Sequence, residues 1–120
     1  MKRYKVTVTT ASDGTATAYT PRLSGKIMQI EYVKTDYANG VDFTITGEAT
    51  GIGLWTESDV NASAVRAPRQ PTHSQAGAAA LYAAGGVGVL APIALANDRV
   101  KIALASGGSA KVGVFHVVVE

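Results

Sequence analysis

The sequence predicts an all-β fold: a single-domain antiparallel β-sandwich or barrel, jelly-roll-like, with seven to eight short strands and a long irregular Pro/Ala/Gly-rich loop in the middle. Three observations predict it. Apolar and polar residues alternate strictly at Tyr4–Thr9, Val41–Thr46 and Arg99–Ala105, the period-2 pattern of half-buried strands. Turn signals recur at roughly 8–12-residue spacing, as sandwiches and barrels require. No amphipathic helical stretch of useful length and no solenoid-period repeat interrupts them.

Taken in order, Tyr4, Val6 and Val8 alternate with Lys5, Thr7 and Thr9 to give the first strand. Ser12-Asp13-Gly14 signals a turn, and Thr15–Thr20 reads as a weak strand partner that Pro21 ends. Lys26–Lys34 is the clearest long strand, expected with Met28, Ile30 and Tyr32 inward and Gln29 and Glu31 outward. Asn39-Gly40 is a turn dipeptide in a loop over Asp36–Gly40. Val41, Phe43 and Ile45 then alternate with Asp42, Thr44 and Thr46, and a short strand over Ile52–Thr56 surrounds Trp55. Residues 64–91 form an extended arm or loop insertion in the single domain 1–120. Ala64–His73 carries two prolines and two arginines without a period, and Ala76–Ala91 reads as an ordered loop. At most one helical turn fits in Ala78–Ala84 before Gly85-Gly86 stops it. Ala91–Ala96 resumes as a strand, and Asn97-Asp98 turns the chain into a final hairpin around Ser106-Gly107-Gly108-Ser109. In the last run Gly113, Phe115, Val117 and Val119 share one face, and Val112, Val114, His116 and Val118 the other. Both faces are mostly apolar, so something is expected to pack on each.

Composition narrows the function classes. A chain of 120 residues is one domain by length. Its net charge of +2, without clustered Lys and Arg, is not a nucleic-acid footprint. Without cysteine there are no disulfides or thiolate metal sites, which leaves packing and oligomerisation to stabilise the fold. Met1-Lys2-Arg3-Tyr4-Lys5 has the charge of a signal n-region, but the polar residues after it do not form an apolar h-region. Ala76–Ala96 is the most apolar stretch, yet its four glycines and Pro92 argue against a membrane helix.

No residue pattern points to catalysis. Ser58, Asp59 and His73 can be combined on paper, but no nucleophile-elbow pattern surrounds the serine. The carboxylates of Asp42, Glu48, Glu57 and Asp59 straddle Trp55, which could mark a sugar site; solvated strand edges are the favoured reading. Ser12-Asp13-Gly14 and Asn97-Asp98 are too sparse for calcium. Gly85-Gly86-Val87-Gly88 lacks a P-loop lysine. Catalytic residues, metal ligands and cofactors are therefore all expected to be none. His116 is expected to serve structure or an interface, and His73 to be exposed. In Arg66-Ala67-Pro68-Arg69-Gln70-Pro71, prolines stiffen an extended segment and arginines offer bidentate bonds to carboxylates. The segment is either an exposed loop or a strap lying on a neighbouring protein.

PRQPTHSQAGAAALYAAGG and IALANDRVKIALASGGSAKVGVFHVVVE, with GKIMQIEYVK and VDFTITGEATG before them, resemble a family of small proteins encoded among the virion genes of tailed bacteriophages. The resemblance covers most of the chain and lies in strands and turns, with no site signature to transfer. It implies a non-enzymatic decoration (cement) protein that stabilises the capsid exterior, made in the bacterial host cytoplasm. The implied partners are the major capsid protein and further copies of the chain, with no nucleic acid and no membrane. A trimer would match the local threefold positions of an icosahedral shell. The alternatives are a tail or head–tail connector component, and a carbohydrate-binding host-attachment module centred on Trp55. Arg66, Pro68, Arg69, Pro71, His73, Leu81 and Tyr82 of the arm, and Val114, His116 and Val118 of the last strand, are the expected contact residues.

Overall fold

The computed structural model describes Met1–Glu120. Alternating sequence becomes ten strands: β1 (Lys2–Thr9), β2 (Ala16–Tyr19), β3 (Leu23–Lys34), β4 (Val41–Gly47), β5 (Gly53–Val60), β6 (Ala64–Arg66), β7 (Arg69–Pro71), β8 (Leu90–Asp98), β9 (Val100–Ala105) and β10 (Val112–Val119). The expected seven to eight strands become ten because the Pro/Arg segment, which has no period of its own, supplies β6 and β7. Each is only three residues long, too short for alternation to register. No helical turn forms in Ala78–Ala84.

Setting β6 and β7 aside, the remaining eight strands pair outermost with outermost: β1 with β10, β2 with β9, β3 with β8 and β4 with β5. Pairing of β10 with β3 and of β9 with β4 completes two antiparallel sheets, β1-β10-β3-β8 and β2-β9-β4-β5. This is a long antiparallel hairpin rolled upon itself, the jelly roll. β7 extends the first sheet beyond β8, and β6 lies beside the C-terminal half of β3.

This topology corrects two local pairings. β2 does not pair with β1, and the segment from Arg99 to Glu120 is not a hairpin: β9 and β10 lie in opposite sheets. The physical reason is their inner faces. Val100, Ile102 and Leu104 on one strand and Phe115, Val117 and Val119 on the other are all buried, and opposite sheets let them meet across the core. The glycines of the connecting loop serve a sheet crossing. Ser106, Gly108 and Ala110 take positive φ, and a Cβ on Gly107 would lie 2.8 Å from Cγ2 of Thr10. The buried Thr10 hydroxyl donates to Gly108 O (2.5 Å) and accepts from Lys111 N–H (2.9 Å). At the β2–β3 crossing, the buried Thr20 hydroxyl accepts from Val100 N–H (3.0 Å). At the β8–β9 crossing, buried Asp98 accepts from the N–H groups of Ala49 (3.1 Å) and Arg99 (2.7 Å).

Met28 does not face inward. Val118 pairs with Gln29 and Val119 with Ile27, so Met28 is the extra residue of a β-bulge. The bulge resets the alternation and buries Ile27 and Ile30, while Met28 is only half-buried. Inward orientation holds for Ile30, Tyr32, Val41, Phe43 and Ile45. Tyr32, Phe43 and Phe115 form the centre of the core, with ring centroids 4.8–5.3 Å apart. Trp55 packs edge-on to Phe43 at 5.2 Å, and Tyr37 stacks beside Tyr32 at 5.9 Å. Tyr37 comes from the Asp36–Gly40 connection, is buried, and donates its hydroxyl to Val8 O (2.6 Å). Its ring occupies the space over Gly113, where a Cβ would stand 2.2 Å from Cε2.

Candidate functional site

The arm leaves the sandwich through a base made of the sequence's arginines. Arg66 forms a two-pronged pair with Glu57, with Nε donating to Oε1 (2.9 Å) and Nη2 to Oε2 (3.0 Å). Its guanidinium lies 5.3 Å from the centre of the Trp55 ring, whose Nε1 donates to the same carboxylate (3.0 Å). Arg69 donates to Pro68 O (2.8 Å) and weakly to Met28 O at the bulge (3.4 Å). Pro68 between them is buried. Of the expected contact residues at this base, Pro68 needs correction, because it is buried, whereas Arg66 and Arg69 are exposed. Pro68 is covered by its own chain, and both guanidiniums spend donors on anchoring the arm. Pro71, His73, Leu81 and Tyr82 are exposed, as a contact surface requires.

Beyond β7 the arm folds back twice without a core of its own. Thr72 N–H donates to Val89 O, Ala80 N–H to Thr72 O, and Val89 N–H to Ala80 O, each at 2.9 Å, so three passes of backbone lie side by side. Two tight turns close the ends, with Ser74 N–H on Ala78 O (2.9 Å) and Tyr82 N–H on Val87 O (3.0 Å). Isolated bridges join His73 to Ala79 and Leu81 to Gly88. Gly77 and Gly85 hold positive φ at these turns. No Lys, Arg, Asp or Glu lies between Arg69 and Asp98. Tyr82 and Val87 are 76% and 75% exposed, and Leu81 and Leu90 about half. The chain spans 50 Å along its longest axis and 23 Å along its shortest, and its radius of gyration is 15.7 Å. A compact domain of this length has about 13.6 Å.

The second surface is the outer face of the β1-β10-β3 sheet. Val112, Val114, His116 and Val118 point away from the core and are half-buried by their strand neighbours, with no layer of this chain over them. Across β10, Val114 stands between Thr7 and Val33, His116 between Lys5 and Glu31, and Val118 between Arg3 and Gln29. Val33 is 38% exposed. The two-faced last strand thus has its core on one side and an open apolar stripe on the other.

The carboxylates around Trp55 are dispersed into structural pairs. Asp42 accepts from Asp59 N–H (3.0 Å), Glu48 pairs with Arg99, and Glu57 with Arg66. Trp55 itself is 5% exposed and capped by Arg66, so its ring is not a platform on which a sugar can stack. A shallow depression of about 390 Å³ between β5 and β6 is lined by Asp59, Asn61 and Ser63, with the Glu57–Arg66 pair on its wall. Ser58 and Asp59 lie on β5, whereas His73 lies on the arm. Sequence reasoning missed Tyr37, which sits in a loop without alternation; the signal was Gly113, a gap in an otherwise bulky inner face.

The class these features define is a jelly-roll sandwich with an arm, uncharged beyond Arg69, inserted between its fifth and sixth long strands. Comparison with protein-family models, with curated proteins and with solved structures returns no match to this chain.

Proposed function

We propose that this protein is a non-enzymatic structural component of a tailed-bacteriophage virion that binds the outer capsid surface as an oligomer and stabilises the shell. The observation that carries the reading is the arm. Fixing a residue's backbone costs about 1–2 kcal/mol in conformational entropy. Residues 72–89 are ordered by backbone hydrogen bonds while nearly all their side chains face solvent. Five of the chain's eight exposed large hydrophobics, Val65, Leu81, Tyr82, Val87 and Leu90, lie in the arm. Concentrated exposed apolar surface marks a contact site, and the absence of charge suits a dry contact with another protein. The jelly roll supplies a rigid body behind it, and the resemblance to phage virion proteins supplies the kind of partner.

The test mixes the purified protein with expanded capsids that lack it. Co-sedimentation and a gain in capsid heat resistance are expected, and Tyr82→Ser with Leu81→Ser should abolish both while leaving the fold intact. No binding by the native chain refutes the reading. Labelled protein seen at the tail rather than over the shell in electron micrographs transfers it to a connector role.

A further inference from the structure

The outer face of the β1-β10-β3 sheet divides by charge as well as by hydropathy. Val114 and Val118 form its apolar centre on β10. On the β1 side stand Arg3 and Lys5; on the β3 side stands Glu31. The row Lys5–His116–Glu31 crosses three strands, and neither end joins an ion pair within the chain, whose two pairs are Arg66–Glu57 and Arg99–Glu48. Lys26, exposed on β3 beyond the bulge, adds a basic group to that side, so the opposition of charge lies in the Lys5–His116–Glu31 row, with Val114 and Val118 on either side of it.

We propose that this face is a two-fold interface occupied by a second copy of the chain. A two-fold axis along β10, in the plane between two stacked faces, carries the β1 margin of one copy over the β3 margin of the other. Lys5 of each copy then meets Glu31 of the other, so the contact is made twice, as an isologous interface requires. Val114 and Val118 meet their own symmetry mates at the centre, where burial of apolar area drives association. An axis across the strands would instead lay the basic margin on itself, and like charges facing each other cost several kcal/mol. The charge pattern therefore selects both the occupant and the axis. This deepens the self-association in the function proposed above and rests on that part of it, but its test needs no capsid.

Light scattering and sedimentation of the native chain over a concentration series should give twice the 12.3 kDa chain mass. Lys5→Glu and Glu31→Lys should each weaken the dimer about a hundredfold or more, because each places like charges together twice. An equimolar mixture of the two variants should dimerise again, since each reversal faces its complement in the other chain. Circular dichroism establishes that the variants fold. Should either reversal unfold the chain, Val114→Lys on the same face supplies the same readout. A monomer, a trimer, or a dimer that none of these substitutions weakens overturns the proposal. Capsid binding that fails while the dimer persists refutes the capsid reading alone.

Discussion

Gly113→Ala sets propensity and packing against each other. In the middle of a strand, glycine gives up side-chain packing and costs backbone entropy, so propensity alone predicts that alanine at this position stabilises. The structure predicts the opposite. A Cβ at Gly113 would lie 2.2 Å from Cε2, 2.6 Å from Cζ and 2.8 Å from Cδ2 of Tyr37. All three are ring atoms, so the clash cannot be relieved by turning a flexible chain end. The ring is 3% exposed, stacked on Tyr32 and tied by its hydroxyl to Val8 O. It must move as a body and give up that bond. Overpacking costs about 1–3 kcal/mol and the lost hydrogen bond about 1. A loss of about 2–4 kcal/mol follows, or roughly 8–16 °C in Tm for a domain of this length. Urea and thermal unfolding followed by circular dichroism measure it. Pairing with Tyr37→Ala closes the argument: in that background Gly113→Ala should be neutral or slightly stabilising, giving a strong coupling between the sites. A Gly113→Ala protein as stable as the native chain would refute the reasoning.

Two further expectations concern the phenols at the same place. The Tyr32 hydroxyl is buried with no hydrogen-bond partner. Tyr32→Phe removes an unpaired polar group and keeps the ring, so stability should rise by about 1 kcal/mol in urea unfolding; a loss of that size would mean the hydroxyl has a partner in solution. Burial above all pushes the pKa of both Tyr32 and Tyr37 above the ordinary phenol value, with Asp36 adding to it at Tyr32 and the neighbouring Tyr32 at Tyr37. Below about pH 10 both phenols are protonated in the folded and unfolded chain alike, and their contribution is flat. Above it the unfolded chain releases protons that the folded chain still holds, so stability should fall as pH rises from there until the folded-state phenols ionise in turn. Near-ultraviolet phenolate absorbance should show these two ionising together with unfolding. Ionisation of both in a still-folded chain would contradict the burial.

How much of this was legible in the sequence depended on which force set each feature. Alternation exposed β1, β4 and β9 because each has one face on the core, and Phe43 and Ile45 could be read as inner residues from period alone; in β10 both faces are apolar, and only the fold shows that Phe115 and Val117 are the buried ones. Pairing was less legible. Adjacent strands joined by a glycine turn suggest a hairpin, but the rolled topology places β9 and β10 in different sheets, a choice made by the meeting of two apolar faces far apart in sequence. The bulge at Met28 left no local mark, because its cause is the register of β10 against β3. At the candidate site, the exposed Leu81 and Tyr82 and the open face of Val114 and Val118 were legible as apolar residues without an evident core role. Pro68 was not, since it lies between β6 and β7, whose pairing with β3 and β8 is set by strands far apart in sequence.

Glycine carries the deepest ambiguity, and resolving it separates the two parts of the molecule. Within the sandwich, Gly25, Gly107 and Gly113 stand where a Cβ would come within 3 Å of a neighbour: the Glu120 carbonyl oxygen, Cγ2 of Thr10 and the Tyr37 ring respectively. These glycines exist because other atoms occupy the space. In the arm, Gly77 and Gly85 have nothing within 4 Å of that position and are required only by their positive φ. Composition shows both groups as the same letter. The sandwich is held by side chains packed from all sides and anchored at Thr10, Thr20 and Asp98. The arm is held by backbone turns and by its Arg66–Glu57 and Arg69 moorings, and most of its side chains are left facing outward. Substitutions at its tip are therefore expected to leave the fold standing, which thermal unfolding of a Tyr82→Ser chain would check.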